Sequence, residues 1–123
     1  MIFLFFFLFA LKHFMADFAL QTPFQYRNKG TYGHLGGILH AYIHTVGTFL
    51  VLALCQLPLP LGWLTIFSLL DGVVHYHIDY AVVNIKNFFN WNDFNAKPFW
   101  IVLGFDQFLH YSTYILIINF LVV

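Results

Sequence analysis

Histidine and aspartate residues recur as pairs inside otherwise apolar stretches of this 123-residue sequence. The members of each pair are four positions apart, which places both side chains on one face of a helix, about 6 Å apart along its axis. Two ligands from one helix can then reach one metal ion or two neighbouring ions, as in metal-binding helical bundles. The pairs are His13 and Asp17, His40 and His44, His75 and Asp79, and Asp106 and His110.

The residue types in these pairs indicate which ions would bind. Imidazole and carboxylate ligands suit zinc, manganese or iron, and the pairs contain no thiolate that would favour a soft metal. The pairs supply more candidate ligands than one four- to six-coordinate ion needs. We therefore predict a divalent metal cofactor, either as two ions or as one ion whose ligands are held in place by the remaining residues.

Two further ionisable residues are candidates for a catalytic role. Asp71 precedes His75 by one helical turn on the same face, so it is a ligand, a partner of a ligand or a general base. Lys12 adjoins His13 but points about 100° away from it. Three roles are open for Lys12: a buried ion pair with an Asp, anion binding in the site, or a side chain that extends to the membrane interface. His77 lies only two residues after His75 and points almost the opposite way, so we expect it to have a packing role.

The composition places these residues in a membrane protein. Hydrophobic residues make up 61% of the chain and charged residues only 8%, whereas about a quarter of a soluble protein is charged. The mean hydropathy of +0.78 also excludes a disordered chain. With no net charge and no basic patch, the chain lacks the electrostatic signature of a nucleic-acid-binding protein.

Four apolar stretches are long enough to cross a bilayer, which takes about 20 residues. We therefore predict an all-α fold, an integral membrane four-helix bundle that forms a single domain over residues 1–123. The first and third connections carry Arg27, Lys29, Lys86 and Lys97, so the positive-inside rule places them in the cytoplasm. The predicted helices span residues 2–21, 35–57, 61–85 and 98–123.

This topology brings the ionisable pairs to one depth. The pairs lie in the C-terminal halves of the first and third predicted helices and in the N-terminal halves of the second and fourth. Since alternate helices run in opposite directions, all the pairs fall in the leaflet next to the charged connections. We expect one shared site near the cytoplasmic face of the inner membrane, with both termini on the other side. The hairpins 1–57 and 61–123 each carry a pair on both arms, which suggests an internal repeat.

Several of these residues belong to motifs of a known family. The string Lys12-His13-Phe14-Met15-Ala16-Asp17-Phe18-Ala19-Leu20-Gln21-Thr22 resembles the opening motif of a small bacterial and phage membrane family, catalogued only as a domain of unknown function. The family's later motifs resemble Asn28-Lys29, the pair His40 and His44, His77-Ile78-Asp79-Tyr80 with Lys86, and Asp106-Gln107-Phe108-Leu109-His110.

The resemblance bears on one ligand choice and on function. It favours His77 as the partner of Asp79, whereas helical spacing favours His75. A more remote similarity to bacterial membrane-bound metal-dependent hydrolases is an analogy of His-rich helices.

The predicted function is metal-dependent hydrolysis of a lipid or lipid-linked phosphate or ester. Two other functions are open: a haem or di-iron redox protein, and a proton or ion path or accessory subunit without catalysis. The expected partners are membrane lipid, a lipid-type substrate and a second copy of the chain or a larger membrane assembly.

Overall fold

The computed structural model describes residues 2–122, which fold into helices joined by short connections, without a strand in that range. The first helix changes to π-helical geometry in its last turn, and a short helix precedes the second long one. The helices are α1 (Ile2–Phe14) with its π-helical turn (Met15–Ala19), α2 (Pro23–Tyr26), α3 (Leu35–Leu54), α4 (Leu61–Phe88) and α5 (Lys97–Val122).

Local sequence explains where several helices begin. Pro23 occupies the first turn of α2 after an extended Thr22, a position that suits proline because its missing N–H would be unpaired there anyway. The backbone N–H of Gly36 donates to Nδ1 of His34, which caps the start of α3. Pro60 stands directly before α4 in an extended conformation. These residues mark the starts of α2, α3 and α4.

The predicted helices differ from the observed ones mainly at their ends. The first helix stops at Ala19 instead of residue 21, and α3 stops at Leu54 instead of residue 57. Helix α3 begins at Leu35, as predicted, but the connection before it contains the short helix α2, which was not predicted. Helix α4 continues to Phe88, three residues past the predicted end. The predicted inclusion of Val123 in the last helix lies outside the described residues.

Within residues 2–122, three helical segments are long and apolar enough to cross a membrane. Helix α4 is not among them, although it is the longest helix, and it carries Asp71, Asp79 and Lys86 along its length. The three segments are Ile2–Ala19, Leu35–Leu54 and Lys97–Leu121.

The long helices form a ring in which α3 packs on α4, α4 on α5, and α1 on both α3 and α5. The apolar core fills the half of this ring that contains the start of α1 and the end of α5. The buried polar residues lie in the other half, beside the connections that contain α2 and residues 89–96. The core consists of Phe5, Phe9, Val51, Leu52, Leu64, Tyr114, Ile117 and Ile118.

A close approach of α3 and α4 brings their histidines together. A side chain at Gly72 would overlap Oγ1 of Thr45 and crowd the carbonyl oxygen of Ala41, so glycine favours this close approach of the two helices. One turn further along, the imidazoles of His44 and His75 stack with their centroids 3.5 Å apart.

Candidate metal centre

Four buried side chains from three helical segments point their donor atoms at one another. The Nε2 atoms of His40 and His44 each lie 2.9 Å from Oδ1 of Asp17. The Nε2 atom of His75 lies 3.1 Å from Nε2 of His40 and 3.7 Å from Oδ1 of Asp17. Ligands in a tetrahedral shell with bonds of about 2.0–2.1 Å are about 3.3 Å apart. These four residues, which we call the Asp17 group, could therefore hold one metal ion.

A second set of donor atoms adjoins the first. The Nε2 atom of His110 lies 3.2 Å from Oδ1 of Asp79, and Nε2 of His75 lies 3.4 Å from Oδ2 of the same carboxylate. We call His75, Asp79 and His110 the Asp79 group. His75 belongs to both groups, and because a ring nitrogen binds one ion, its Nε2 can complete only one group at a time.

The π-helical turn presents Asp17 to the neighbouring helices. Isolated π-helical turns inside α-helices occur frequently at functional sites. In this turn Oδ1 of Asp17 faces α3, while Oδ2 lies 3.0 Å from Nε2 of His13. The pair expected from α-helical spacing therefore forms between His13 of α1 and Asp17 of the π-helical turn.

The hydrogen-bond partners of the ring nitrogens distinguish His40, a candidate ligand, from His13, which supports the site. Nδ1 of His40 lies 3.4 Å from Oε1 of Gln25, and a metal-binding histidine usually donates its second ring N–H to such an acceptor. His13 differs, because its Nε2 faces two acceptors, Oδ2 of Asp17 and Oε1 of Gln107 at 2.9 Å. Its Nδ1 lies 2.8 Å from the hydroxyl of Tyr114. This arrangement suits a His13 that donates from Nε2 and accepts from Tyr114.

The structure brings most of the predicted ligands together. His13 and Asp106 lie beside the two groups but outside them, with Oδ1 of Asp106 3.3 Å from Nε2 of His110. The predicted ligands that lie inside the groups are Asp17, His40, His44, His75, Asp79 and His110.

His75 and His77, the two candidate partners of Asp79, occupy different environments. His75 is buried between the two groups. His77 is exposed, with its Nδ1–H donating to the carbonyl of Val73 at 2.7 Å and its Nε2 3.1 Å from the hydroxyl of Tyr32. Helical spacing therefore identified the histidine that faces the cluster.

The two predicted catalytic residues pair with each other. Nζ of Lys12 lies 2.7 Å from Oδ2 of Asp71, and both side chains are buried. The hydroxyl of Thr48 donates to the same carboxylate oxygen at 2.6 Å, and Lys12 also donates to the hydroxyl of Tyr114 at 3.3 Å. Of the roles left open for Lys12, the geometry matches a buried ion pair with an Asp.

Sequence reasoning missed two residues that reach the centre from the connection between α1 and α3. Nζ of Lys29 lies 2.9 Å from Oδ2 of Asp79, with only 11% of its side chain exposed. Gln25, in α2, is buried beside His40. Pro23 after Thr22 is a signal for a helix start and could have revealed α2. For Lys29, the only sequence signal was its place in a motif of the family resemblance.

Comparison with known proteins gives a family. No curated protein and no solved structure matches the chain. A family model described as protein of unknown function (DUF3307) matches residues 4–123, a range that contains every member of both groups. This match confirms the predicted resemblance, and the chain belongs to the DUF3307 family.

Proposed function

We propose that this protein is a membrane-embedded metal-dependent hydrolase that acts on a lipid or a lipid-linked phosphate or ester. One observation carries the proposal: donor atoms from three separate helical segments converge in the buried Asp17 group at ligand-to-ligand distances. Histidine and aspartate in this arrangement suit zinc, manganese or iron.

The charge of the buried site supports a bound cation. A buried carboxylate is costly unless it is paired with a compensating charge. Within residues 2–122, the ion-pair partners of Asp17 are all imidazoles: His13, His40, His44 and His75. A divalent ion would compensate this carboxylate without requiring those imidazoles to be protonated.

The position of Asp106 supports hydrolysis. A bound divalent ion lowers the pKa of a water molecule and polarises an ester or phosphoryl group. The side chain of Asp106 is more exposed than those of Asp17 and Asp79. Its Oδ2 accepts a hydrogen bond from the side-chain amide of Gln107 at 3.0 Å. Asp106 would accept a proton from the attacking water, whose oxygen forms the new bond to phosphorus or carbon. The same proton would then pass to the oxygen of the departing alcohol as its bond breaks.

The surroundings of the site favour a lipid-type substrate. Large apolar side chains are exposed along α1, α3 and α5, as expected of helices that face lipid. Helix α4 packs between α3 and α5, so we propose that it crosses the membrane with them as the fourth span. The centre then lies near the cytoplasmic face, next to the connections that carry the positive charges.

The imidazole stacking favours a metal ion over haem. The rings of His75 and His110 stack at 4.0 Å, and those of His44 and His75 at 3.5 Å. Haem between two axial histidines needs a gap as wide as the macrocycle, and these stacked rings leave no such gap. The apolar core, with Phe5 and Phe9, fills the other half of the helix ring, which disfavours a continuous ion path.

The proposal is tested by the metal content of the detergent-purified protein, measured by mass spectrometry after growth with zinc, manganese and iron. His75→Ala and His77→Ala form a matched pair, since they delete the same side chain two residues apart. We expect one or two ions per chain in the wild type and in His77→Ala, and their loss in His75→Ala. A wild-type protein without bound metal would overturn the proposal, and a Soret band in the same sample would favour haem instead.

A further inference from the structure

A small cavity with a partly polar lining lies beside the Asp79 group, between α4, α5 and the connection that carries Lys29. Its volume is about 100 Å³, about three times the volume that one water molecule occupies in the liquid. We call it the headgroup cavity, and its polar lining consists of Lys29, Asp79, Lys86 and Asp106. Because Asp79 is a candidate ligand, anything bound in this cavity would lie next to the candidate metal centre.

Lys29 and Lys86, the two lysines of the headgroup cavity, could bind an anion. Lys29 already contacts Asp79, with its Nζ 2.9 Å from Oδ2. Lys86 forms no ion pair with any residue from 2 to 122, and its Nζ lies 5.5 Å from the centre of the Phe99 ring. Lysine commonly binds phosphate groups through its ammonium charge.

The overall charge of a metal-loaded centre also favours a bound anion. Asp17, Asp79 and Asp106 contribute three negative charges, whereas two divalent ions would contribute four positive charges. Lys29 and Lys86 add two more positive charges at the cavity. The loaded centre would therefore carry surplus positive charge with two ions, and also with one. A bound anion would compensate this surplus.

An apolar groove runs along α4 and α5 next to the headgroup cavity. Its volume of about 660 Å³ lies within the range of about 300–1,000 Å³ that is usual for ligand sites. Val82 and Val102 line both the groove and the cavity, so the two spaces have these side chains in common. Ile78 and Phe105 also line the groove, and Trp91 lies against it near the charged connection. Tryptophan at that position is typical of the membrane interface.

The geometry points to an anionic phospholipid as the ligand, and we propose that its phosphate binds in the headgroup cavity and one acyl chain lies in the groove between α4 and α5. The proposal rests on the proposed function, which it deepens by naming the substrate class. A free phosphate ion would satisfy only the charge, whereas a phospholipid would also place an acyl chain against the groove.

The test uses full-length, detergent-purified protein loaded with metal, titrated calorimetrically with three probes. The probes are inorganic phosphate, short-chain dioctanoyl phosphatidic acid and uncharged dioctanoylglycerol. We expect phosphatidic acid to bind at least tenfold more tightly than inorganic phosphate, and dioctanoylglycerol to bind weakly. Equal affinities for phosphate and phosphatidic acid would overturn the lipid assignment.

Variants separate the two parts of the site. Lys86→Gln removes one of the two lysine charges in the cavity and should weaken phosphatidic acid binding about tenfold, the equivalent of one charged hydrogen bond. Lys97→Gln makes the same change at an exposed position outside the cavity and should leave the affinity unchanged. Ile101→Trp would fill the groove, so phosphatidic acid should then bind no better than inorganic phosphate. An unchanged affinity in both Lys86→Gln and Ile101→Trp would overturn the proposal.

Metal content, measured on every sample, distinguishes the failure of this proposal from failure of the proposed function. Normal metal content without binding of any phosphate probe overturns the anionic-lipid site and leaves the metal centre standing. Absence of metal from the wild type overturns the proposed function itself, together with the inference that rests on it.

Discussion

The Nε2 atoms of His40 and His75 lie 3.1 Å apart, although the two residues belong to different helices. Two N–H groups cannot point at each other over this distance, so at least one of these nitrogens presents a lone pair. Gln25 lies behind His40, where its amide oxygen can hold the proton on Nδ1 and leave Nε2 free. With that tautomer, His40 directs a lone pair into the Asp17 group, where a bound metal ion would accept it.

The contact between Gln25 and His40 predicts a graded effect on metal affinity. We expect Gln25→Ala to weaken metal binding about 10- to 100-fold, the usual cost of losing the residue that orients a ligand. His40→Ala should abolish binding. Competition with a chelator measures both affinities, and Gln56→Ala, at an exposed position in the connection between α3 and α4, is the control. Unchanged affinity in Gln25→Ala would show that His40 needs no such support.

The buried pair of Lys12 and Asp71 predicts a stability effect that a second substitution reverses. Lys12→Met leaves a buried carboxylate without its cation, which costs about 3–5 kcal/mol in the free energy of unfolding. Adding Asp71→Asn removes the uncompensated charge and should restore much of the stability, with Thr48 still able to donate to the amide oxygen. Thermal unfolding in detergent measures both changes. If Lys12→Met lost activity but unfolded like the wild type, Lys12 would be an anion-binding residue instead.

The role proposed for Asp106 predicts a loss of activity without a loss of metal. We expect Asp106→Asn to lower the hydrolysis rate by about 10²- to 10⁴-fold, the range for removal of a general base. Its metal content should stay close to that of the wild type, because Asp106 lies outside both ligand groups. Asp93→Asn makes the same change at an exposed position and should be silent. Loss of metal from Asp106→Asn would make this residue a ligand.

The length of the apolar stretches predicted the long helices, and the family resemblance is confirmed. The four-residue spacing also predicted that His75 lies next to Asp79. The two side chains are neighbours because α4 is a regular α-helix at both positions. The π-helical turn at Met15–Ala19 could not be foreseen, since an apolar run carries no signal for a wider turn. Lys29 was missed for a different reason. Its contact depends on how a connection folds back over the helices, and periodicity contains no information about that.

The predicted orientation can be tested with Cys55, the only cysteine in the sequence. It follows the end of α3, in the connection expected outside the cytoplasm. A membrane-impermeant maleimide should therefore label Cys55 in intact cells. Asn92→Cys, made together with Cys55→Ser, should react only after permeabilisation, because residue 92 lies in a connection expected to be cytoplasmic. The reverse pattern of labelling would invert the orientation.

The pH dependence of this labelling has a defined sign. Burial raises the pKa of the Cys55 thiol above its usual value. Maleimide reacts with the thiolate, so less of the reactive form is present at neutral pH than for an exposed cysteine. Labelling of Cys55 should accelerate as the pH rises, and at neutral pH it should be slower than labelling of Asn92→Cys in permeabilised cells. Labelling rates measured across several pH values check this.

The Asp17 group and the Asp79 group take their ligands from different parts of the sequence. Every donor of the Asp17 group comes from residues up to His75, whereas the Asp79 group also needs His110 from α5. During synthesis, all residues of the first group are therefore made before those of α5. The second becomes complete only when the last helix has joined the others. An ion held by the Asp17 group at that stage would provide a fixed point around which the C-terminal helix docks, so metal supply would influence how the newly made protein matures.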